Sequence, residues 1–132
     1  MPKPAVPPQP TTAELEILKV LWRRGPSTVR EVWKDAGPNP QTGYTTVLKL
    51  LQIMTDKGLV LRDERHRTHV YRPAGSEEQT QRRLVRDLLD RAFEGSSAKL
   101  VMQALSTKRA TPQELAEIRQ LLDGLSEERS EP

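Results

Sequence analysis

The same short motif marks four helix starts in this sequence. A serine or threonine is followed three residues later by glutamate or glutamine at four places: Thr11 and Glu14, Thr28 and Glu31, Ser76 and Gln79, and Thr111 and Glu114. In this capping box each side chain accepts a hydrogen bond from the other residue's backbone N–H, so two donors that a helix start leaves unpaired are satisfied. Apolar residues follow each motif at intervals of three and four. The sequence therefore predicts a mainly helical chain.

The first 75 residues predict three helices followed by a β-hairpin. The helices extend from Thr11 or Thr12 to Gly25-Pro26, from Ser27 or Thr28 to Gly37-Pro38, and from about Gly43 to Lys57. The predicted buried faces of the second and third helices are Val29, Val32, Trp33 and Ala36, and Val47, Leu50, Leu51 and Met54. Two β-prone runs, residues 59–62 and 69–72, flank a charged turn. This order predicts an α+β winged helix-turn-helix whose third helix enters the major groove of DNA.

The rest of the chain predicts three more amphipathic helices, at about residues 76–94, 97–107 and 111–126. Their apolar stripes exceed what a small bundle hides within itself, so they predict a dimerisation surface. Its residues are Leu100, Val101, Ala104, Leu105, Leu115, Ile118, Leu122 and Leu125. The predicted domains are a disordered proline-rich arm at 1–10, the winged helix at 11–75, a helical dimerisation domain at 76–126 and a flexible tail at 127–132.

Composition favours an oligomer that meets a polyanion. Hydrophobic residues make up 35% of the 132 residues, with a single phenylalanine, which is a thin core for a monomer of this length. Residues 1–75 carry 12 lysines and arginines against 7 acidic residues, whereas residues 76–132 carry 9 against 11. The basic first half suits nucleic acid, and the second half suits another protein chain.

Several classes of function are disfavoured by what the sequence lacks. Cysteine is absent, which excludes disulfides and thiolate chemistry. The two histidines, His66 and His69, stand three apart among arginines, so no metal site is expected. The sequence contains no recognisable pair of catalytic carboxylates, no nucleophile with a base and no glycine-rich phosphate loop. We therefore expect neither enzymatic activity nor a cofactor. Without an apolar run of membrane-spanning length or a secretory signal, we expect a cytoplasmic protein.

The third helix and the hairpin turn carry the predicted DNA contacts. Thr45, Thr46, Lys49 and Gln52 point away from the buried stripe, and these side chains suit base edges and phosphates. At the helix start, the hydroxyl of Tyr44 and nearby backbone N–H groups suit a phosphate. The turn, residues 62–69 and hereafter the wing tip, contains three arginines, which suits the DNA backbone. A solvated turn partly neutralised by Asp63 and Glu64 is the alternative.

Four ordered segments carry a family resemblance: residues 12–22 (TAELEILKVLW), 27–32 (STVREV), 44–47 (YTTV) and 57–60 (KGLV). Together they resemble the penicillinase and methicillin-resistance repressors of the BlaI/MecI/CopY type, over about residues 11–125. The resemblance implies a winged-helix N-terminal domain, a helical C-terminal dimerisation domain and repression at dyad operators. It places Thr45, Thr46 and Lys49 on the recognition helix, and Arg65 and Arg67 on the wing.

Two departures from the family bear on regulation. Copper-responsive members carry a C-terminal cysteine motif, and its absence excludes copper sensing by that route. The resemblance also implies a sensor protease as a partner that relieves repression by cutting the fifth helix at an Asn-Phe pair. Here Gln103-Ala104 stand at that position, which leaves proteolytic induction and the inducing signal open.

The sequence therefore predicts a homodimeric repressor that binds double-stranded DNA at a palindromic operator. A winged-helix module that binds proteins is one alternative, because the same fold serves both purposes. The basic hairpin and the polar face of the third helix argue against it. A DNA-binding activator is the other alternative, and only the family resemblance separates it from a repressor.

Overall fold

A computed structural model describes residues 8–36 and 42–130 of the chain. Its elements are α1 (Thr12–Arg24), α2 (Val29–Asp35), α3 (Tyr44–Lys57), β1 (Val60–Asp63), β2 (Val70–Pro73), α4 (Glu77–Ala92), α5 (Ser97–Thr107) and α6 (Pro112–Ser130). Most of the predicted arm, the predicted helix stop at Gly37-Pro38 and residues 131–132 lie outside the described residues. The predicted fold class, a winged helix followed by helices, is confirmed.

All four predicted capping boxes form. At the start of α1, the backbone N–H of Glu14 donates to Thr11 Oγ1 at 3.2 Å, and the backbone N–H of Thr11 donates to Glu14 Oε1 at 2.8 Å. The same reciprocal pair of hydrogen bonds starts α2, α4 and α6. Because a good N-cap stabilises a helix by about 1 kcal/mol, local sequence fixes where these four helices begin.

Helices α1 to α3 and the hairpin enclose one hydrophobic core. The predicted stripe of α3 lies in it: Val47, Leu51 and Met54 are fully buried, and Leu50 is partly buried. Gly58 ends α3 with φ at 82°, a left-handed conformation that glycine adopts without a Cβ clash, and the chain passes directly into β1. The core thus holds the inner face of α3 and leaves its opposite face outside.

The hairpin lies one residue later than the sequence predicted. β1 and β2 are antiparallel, with Arg62 opposite Tyr71. Tyr71 is buried and exchanges two backbone hydrogen bonds with Ser27, of 2.9 and 2.8 Å, so the hairpin is joined to the start of α2. This contact with a distant part of the chain fixes which residues form the strands, and local β-propensity does not contain it.

The chain divides into two compact units, residues 1–86 and 87–132, and the division lies inside α4. In the second unit no side chain among residues 87–128 is fully buried. Helix α6 continues to Ser130, past the predicted end near Ser126, so most of the predicted flexible tail is helical. Glutamates at 127 and 128 favour helix, which explains the extension. Within the described residues, no helix has the length and apolarity required to cross a bilayer.

Candidate nucleic-acid interface

The outer face of α3 consists of Thr45, Thr46, Lys49 and Gln52. All four side chains are exposed, on the side of the helix away from the buried Val47, Leu51 and Met54. Thr45, Lys49 and Gln52 are spaced by four and three residues, which places them on one stripe of the helix. Lys49 has no hydrogen-bond or ion-pair partner among the described residues, so its ammonium group is free to meet a ligand.

The start of α3 is framed by two aromatic residues. Tyr44 is 43% exposed, and its ring meets the ring of Trp33 edge to face, with centroids 6.0 Å apart. The indole N–H of Trp33 donates to the backbone oxygen of Thr42 at 3.1 Å. The prediction that Trp33 faces the core is wrong, because the residue is 37% exposed and its ring packs against Tyr44. A tryptophan whose indole N–H is hydrogen-bonded is stable at such a partly solvent-exposed site.

Ion pairs hold α2 against α1, and α2 shares its hydrophobic core with α3. Arg24, in the last turn of α1, donates to Glu31 at 2.8 Å and to Asp35 at 2.9 Å, so one guanidinium contacts both ends of α2. The pKa of Glu31 is lowered first by the backbone hydrogen bond from Thr28, then by the Thr28 side chain and by Arg24. Helix α2 therefore has a fixed place as the brace of a helix-turn-helix.

The wing tip contains internal ion pairs that the sequence prediction treated as an alternative. The Arg65 guanidinium donates to both carboxylate oxygens of Asp63, with its shortest contact at 2.7 Å, and Arg62 pairs with Glu64 at 2.7 Å. These contacts with Arg65 hold the pKa of Asp63 far below its ordinary range. Among the described residues, Arg67 is the one arginine of the wing tip without an acidic partner.

A buried charge that the sequence pattern did not reveal connects α1 to α3. The Glu14 side chain is 2% exposed, and both of its oxygens accept hydrogen bonds from Lys57, at 3.0 and 2.9 Å. The capping box identified Glu14 as the third residue of a helix, but nothing local indicated its burial. Lys57 belongs to the last turn of α3, so this pair anchors the helix that carries the outer face.

The second unit exposes a large apolar surface. Among the predicted dimerisation residues, Val101, Leu105, Leu122 and Leu125 are between 36% and 52% exposed, Ala104 is also exposed, and Leu100, Leu115 and Ile118 are partly buried. In α5 and α6 two further residues were missed, Met102 at 69% and Leu121 at 62% exposed. They lie three residues from Leu105 and from Ile118, so extending the same helical spacing would have found a wider apolar face.

The similarity to known proteins extends over residues of both units. A family model described as penicillinase repressor matches residues 10–124. The chain is similar to the penicillinase repressor of Bacillus licheniformis, with 26% identity over 116 residues that cover 88% of this chain and 91% of that protein. It is also similar to the transcriptional regulator BlaI of Mycobacterium tuberculosis, with 33% identity over 85 residues that cover 64% of this chain and 62% of the relative.

Proposed function

The chain belongs to the penicillinase repressor family, whose members are transcriptional repressors and not enzymes, and we propose that it represses transcription as a homodimer bound to a palindromic operator. The observation that carries this proposal is the outer face of α3. An exposed polar face with a free lysine, on a helix fixed from behind by a core and a brace helix, has the form of a recognition helix. The protein would act in the cytoplasm, on double-stranded operator DNA.

Each residue of the proposed interface has a chemical role. Lys49 donates to guanine O6 and N7 or to a phosphate, Gln52 pairs with adenine, and the two threonines offer methyl and hydroxyl groups to bases. Tyr44 donates its hydroxyl to a phosphate at the start of α3, where the first-turn N–H groups also favour an anion. Arg67 contacts the DNA backbone from the wing tip. Occupation of the operator excludes the transcription machinery from the site.

Dimerisation supports the choice of a palindromic site. The apolar residues that the second unit leaves exposed, including Leu122 and Met102, are more than a small monomeric domain leaves in water. A two-fold pair of chains buries the same surface on both copies and places two recognition helices about 34 Å apart on one duplex face. The two halves of a palindrome then bind the two copies of α3.

DNA binding should weaken steeply with salt. The measurement is fluorescence anisotropy of a labelled duplex, first of random sequence and then of the operator recovered by selection from a random pool. Each neutralised phosphate should contribute about 0.9 to the slope of log affinity against log salt concentration. Affinity that is independent of salt, or no binding to any selected duplex, would contradict the proposal and favour the protein-binding winged-helix module.

Replacing Lys49 by alanine should reduce affinity for the selected operator about tenfold and change affinity for random duplex much less. The reason is that a base contact contributes to one sequence and a phosphate contact to all of them. Lys19→Ala is the matched control, since Lys19 is an exposed lysine of α1 that pairs with Glu16. Equal losses on operator and random DNA would reassign Lys49 to the phosphate backbone.

A further inference from the structure

Asp63 occupies the position that a DNA phosphate would need in order to bind Arg65. Its carboxylate accepts two hydrogen bonds at Oδ1, from the backbone N–H and from Nε of Arg65, both at 3.0 Å. The second oxygen accepts from Nη2 at 2.7 Å. This two-pronged contact is the same geometry by which a guanidinium binds a phosphate.

The two partners differ in how firmly they are held. Asp63 is the last residue of β1, opposite Val70, and its side chain is 26% exposed. It also closes the first turn of the wing tip through the Arg65 N–H, as aspartate does in an Asx-turn. The Arg65 side chain is 83% exposed, and among the described residues Asp63 is the one partner of its guanidinium. Asp63 is therefore the fixed partner and Arg65 the movable one.

We propose that Asp63 is an internal competitor for phosphate that withholds Arg65 from DNA and so limits the affinity of the wing for DNA of any sequence. The inference rests on the proposed DNA-binding function and concerns the regulation of that site. Under this proposal Arg67 is the wing-tip arginine that contacts the DNA backbone, and Arg65, which the sequence also predicted on the wing, is held back by Asp63. When the affinity for DNA of any sequence is low, the base contacts made by the outer face of α3 determine which DNA sequence the protein binds.

The neighbouring acidic residue provides a matched comparison. Glu64 pairs with Arg62, but the Arg62 side chain extends from within β1, opposite Tyr71, and is 32% exposed, against 83% for Arg65. Removal of the Glu64 charge therefore leaves Arg62 in place. Asp63→Asn and Glu64→Gln change the charge of the wing tip equally, but only the first frees a movable guanidinium.

Asp63→Asn should raise affinity for a random-sequence duplex about threefold per protomer and steepen the salt slope by about 0.9, the value of one added phosphate contact. The asparagine oxygen still accepts the Arg65 N–H, so the turn is retained. Anisotropy titrations between about 50 and 200 mM salt measure both quantities. Glu64→Gln should leave the slope unchanged, and Asp63→Asn placed in an Arg65→Ala background should produce no gain.

The remaining outcomes of these titrations would overturn the proposal. A gain that persists without Arg65, or equal gains for Asp63→Asn and Glu64→Gln, would attribute the effect to net charge and overturn the proposal. Wild-type protein that binds DNA with no gain in Asp63→Asn overturns this inference alone, whereas wild-type protein that binds no duplex overturns the proposed function as well. If circular dichroism shows that Asp63→Asn is unfolded, Asp63→Ser replaces it, because a serine hydroxyl accepts the same N–H.

Discussion

Leu122→Asp should convert the proposed dimer into a monomer and weaken binding to the proposed palindromic operator about a hundredfold. Leu122 lies in α6, is 52% exposed in the protomer and is flanked along its face by Ile118 and Leu125. A carboxylate there would be buried without a partner in the dimer interface. Loss of the second protomer removes the high effective concentration at the second half-site, which is worth at least about a hundredfold. Sedimentation velocity gives the oligomeric state, and anisotropy gives the affinity.

The matched control places the same charge on the opposite side of the same helix. Gln120 is exposed and lies about 160° around the helix from Leu122. Gln120→Asp should therefore remain dimeric and bind the operator as the wild type does. Because Leu122 is half exposed, Leu122→Asp should keep its helical circular dichroism. A folded Leu122→Asp protein that still sediments as a dimer would place the interface outside this face of α6.

The parts of the fold that the sequence predicted correctly depend on local physics. A capping box acts over four residues, and helical periodicity acts over about two turns, so Thr28 with Glu31 and the stripe of Val47, Leu51 and Met54 were visible without any tertiary information. The outer face of α3 followed from the same periodicity, because the side opposite a buried stripe is exposed. The recognition-helix prediction therefore used only residues close together in the chain.

The errors and omissions came from contacts that local patterns do not contain. The hairpin register depends on the pairing of Tyr71 with Ser27. Trp33 lies outside the core because its ring packs against Tyr44 and its indole N–H donates to the backbone oxygen of Thr42. For these features the three-dimensional neighbours had to be known.

Glu14→Gln should lower the free energy of unfolding by about 3 kcal/mol at neutral pH. Glutamine is also accepted at this position of a capping box, so the helix start is preserved and only the charge is lost. The Lys57 ammonium would then remain against α1 without its carboxylate. Breaking a buried pair from one side costs about 3–5 kcal/mol, and we expect the lower value because Lys57 is 30% exposed and can be hydrated. Urea unfolding followed by circular dichroism measures the difference.

Glu16→Gln is the control for this prediction. Glu16 is in the same helix and pairs with Lys19 at 3.0 Å, but both side chains are more than half exposed. Exposed pairs contribute little, so this variant should unfold within about 0.5 kcal/mol of the wild type. Equal losses for the two variants would show that the burial of Glu14 has no energetic consequence.

The pH dependence of the Glu14 effect tests its electrostatic origin. Burial alone would raise the pKa of Glu14, but the hydrogen bond from Lys57, the backbone hydrogen bond of Thr11 and the Lys57 charge together lower it below its ordinary value of 4.5. Because the folded pKa is the lower one, the unfolded chain takes up the proton first as pH falls. The stabilisation is therefore complete only at pH values above the unfolded pKa of 4.5, begins to decline near pH 5 and is lost as pH falls through the folded pKa. The gap between wild type and Glu14→Gln should be constant from neutral pH to about pH 5 and should narrow below that; a gap that stays the same in acid would mean that packing, and not charge, holds α1 to α3.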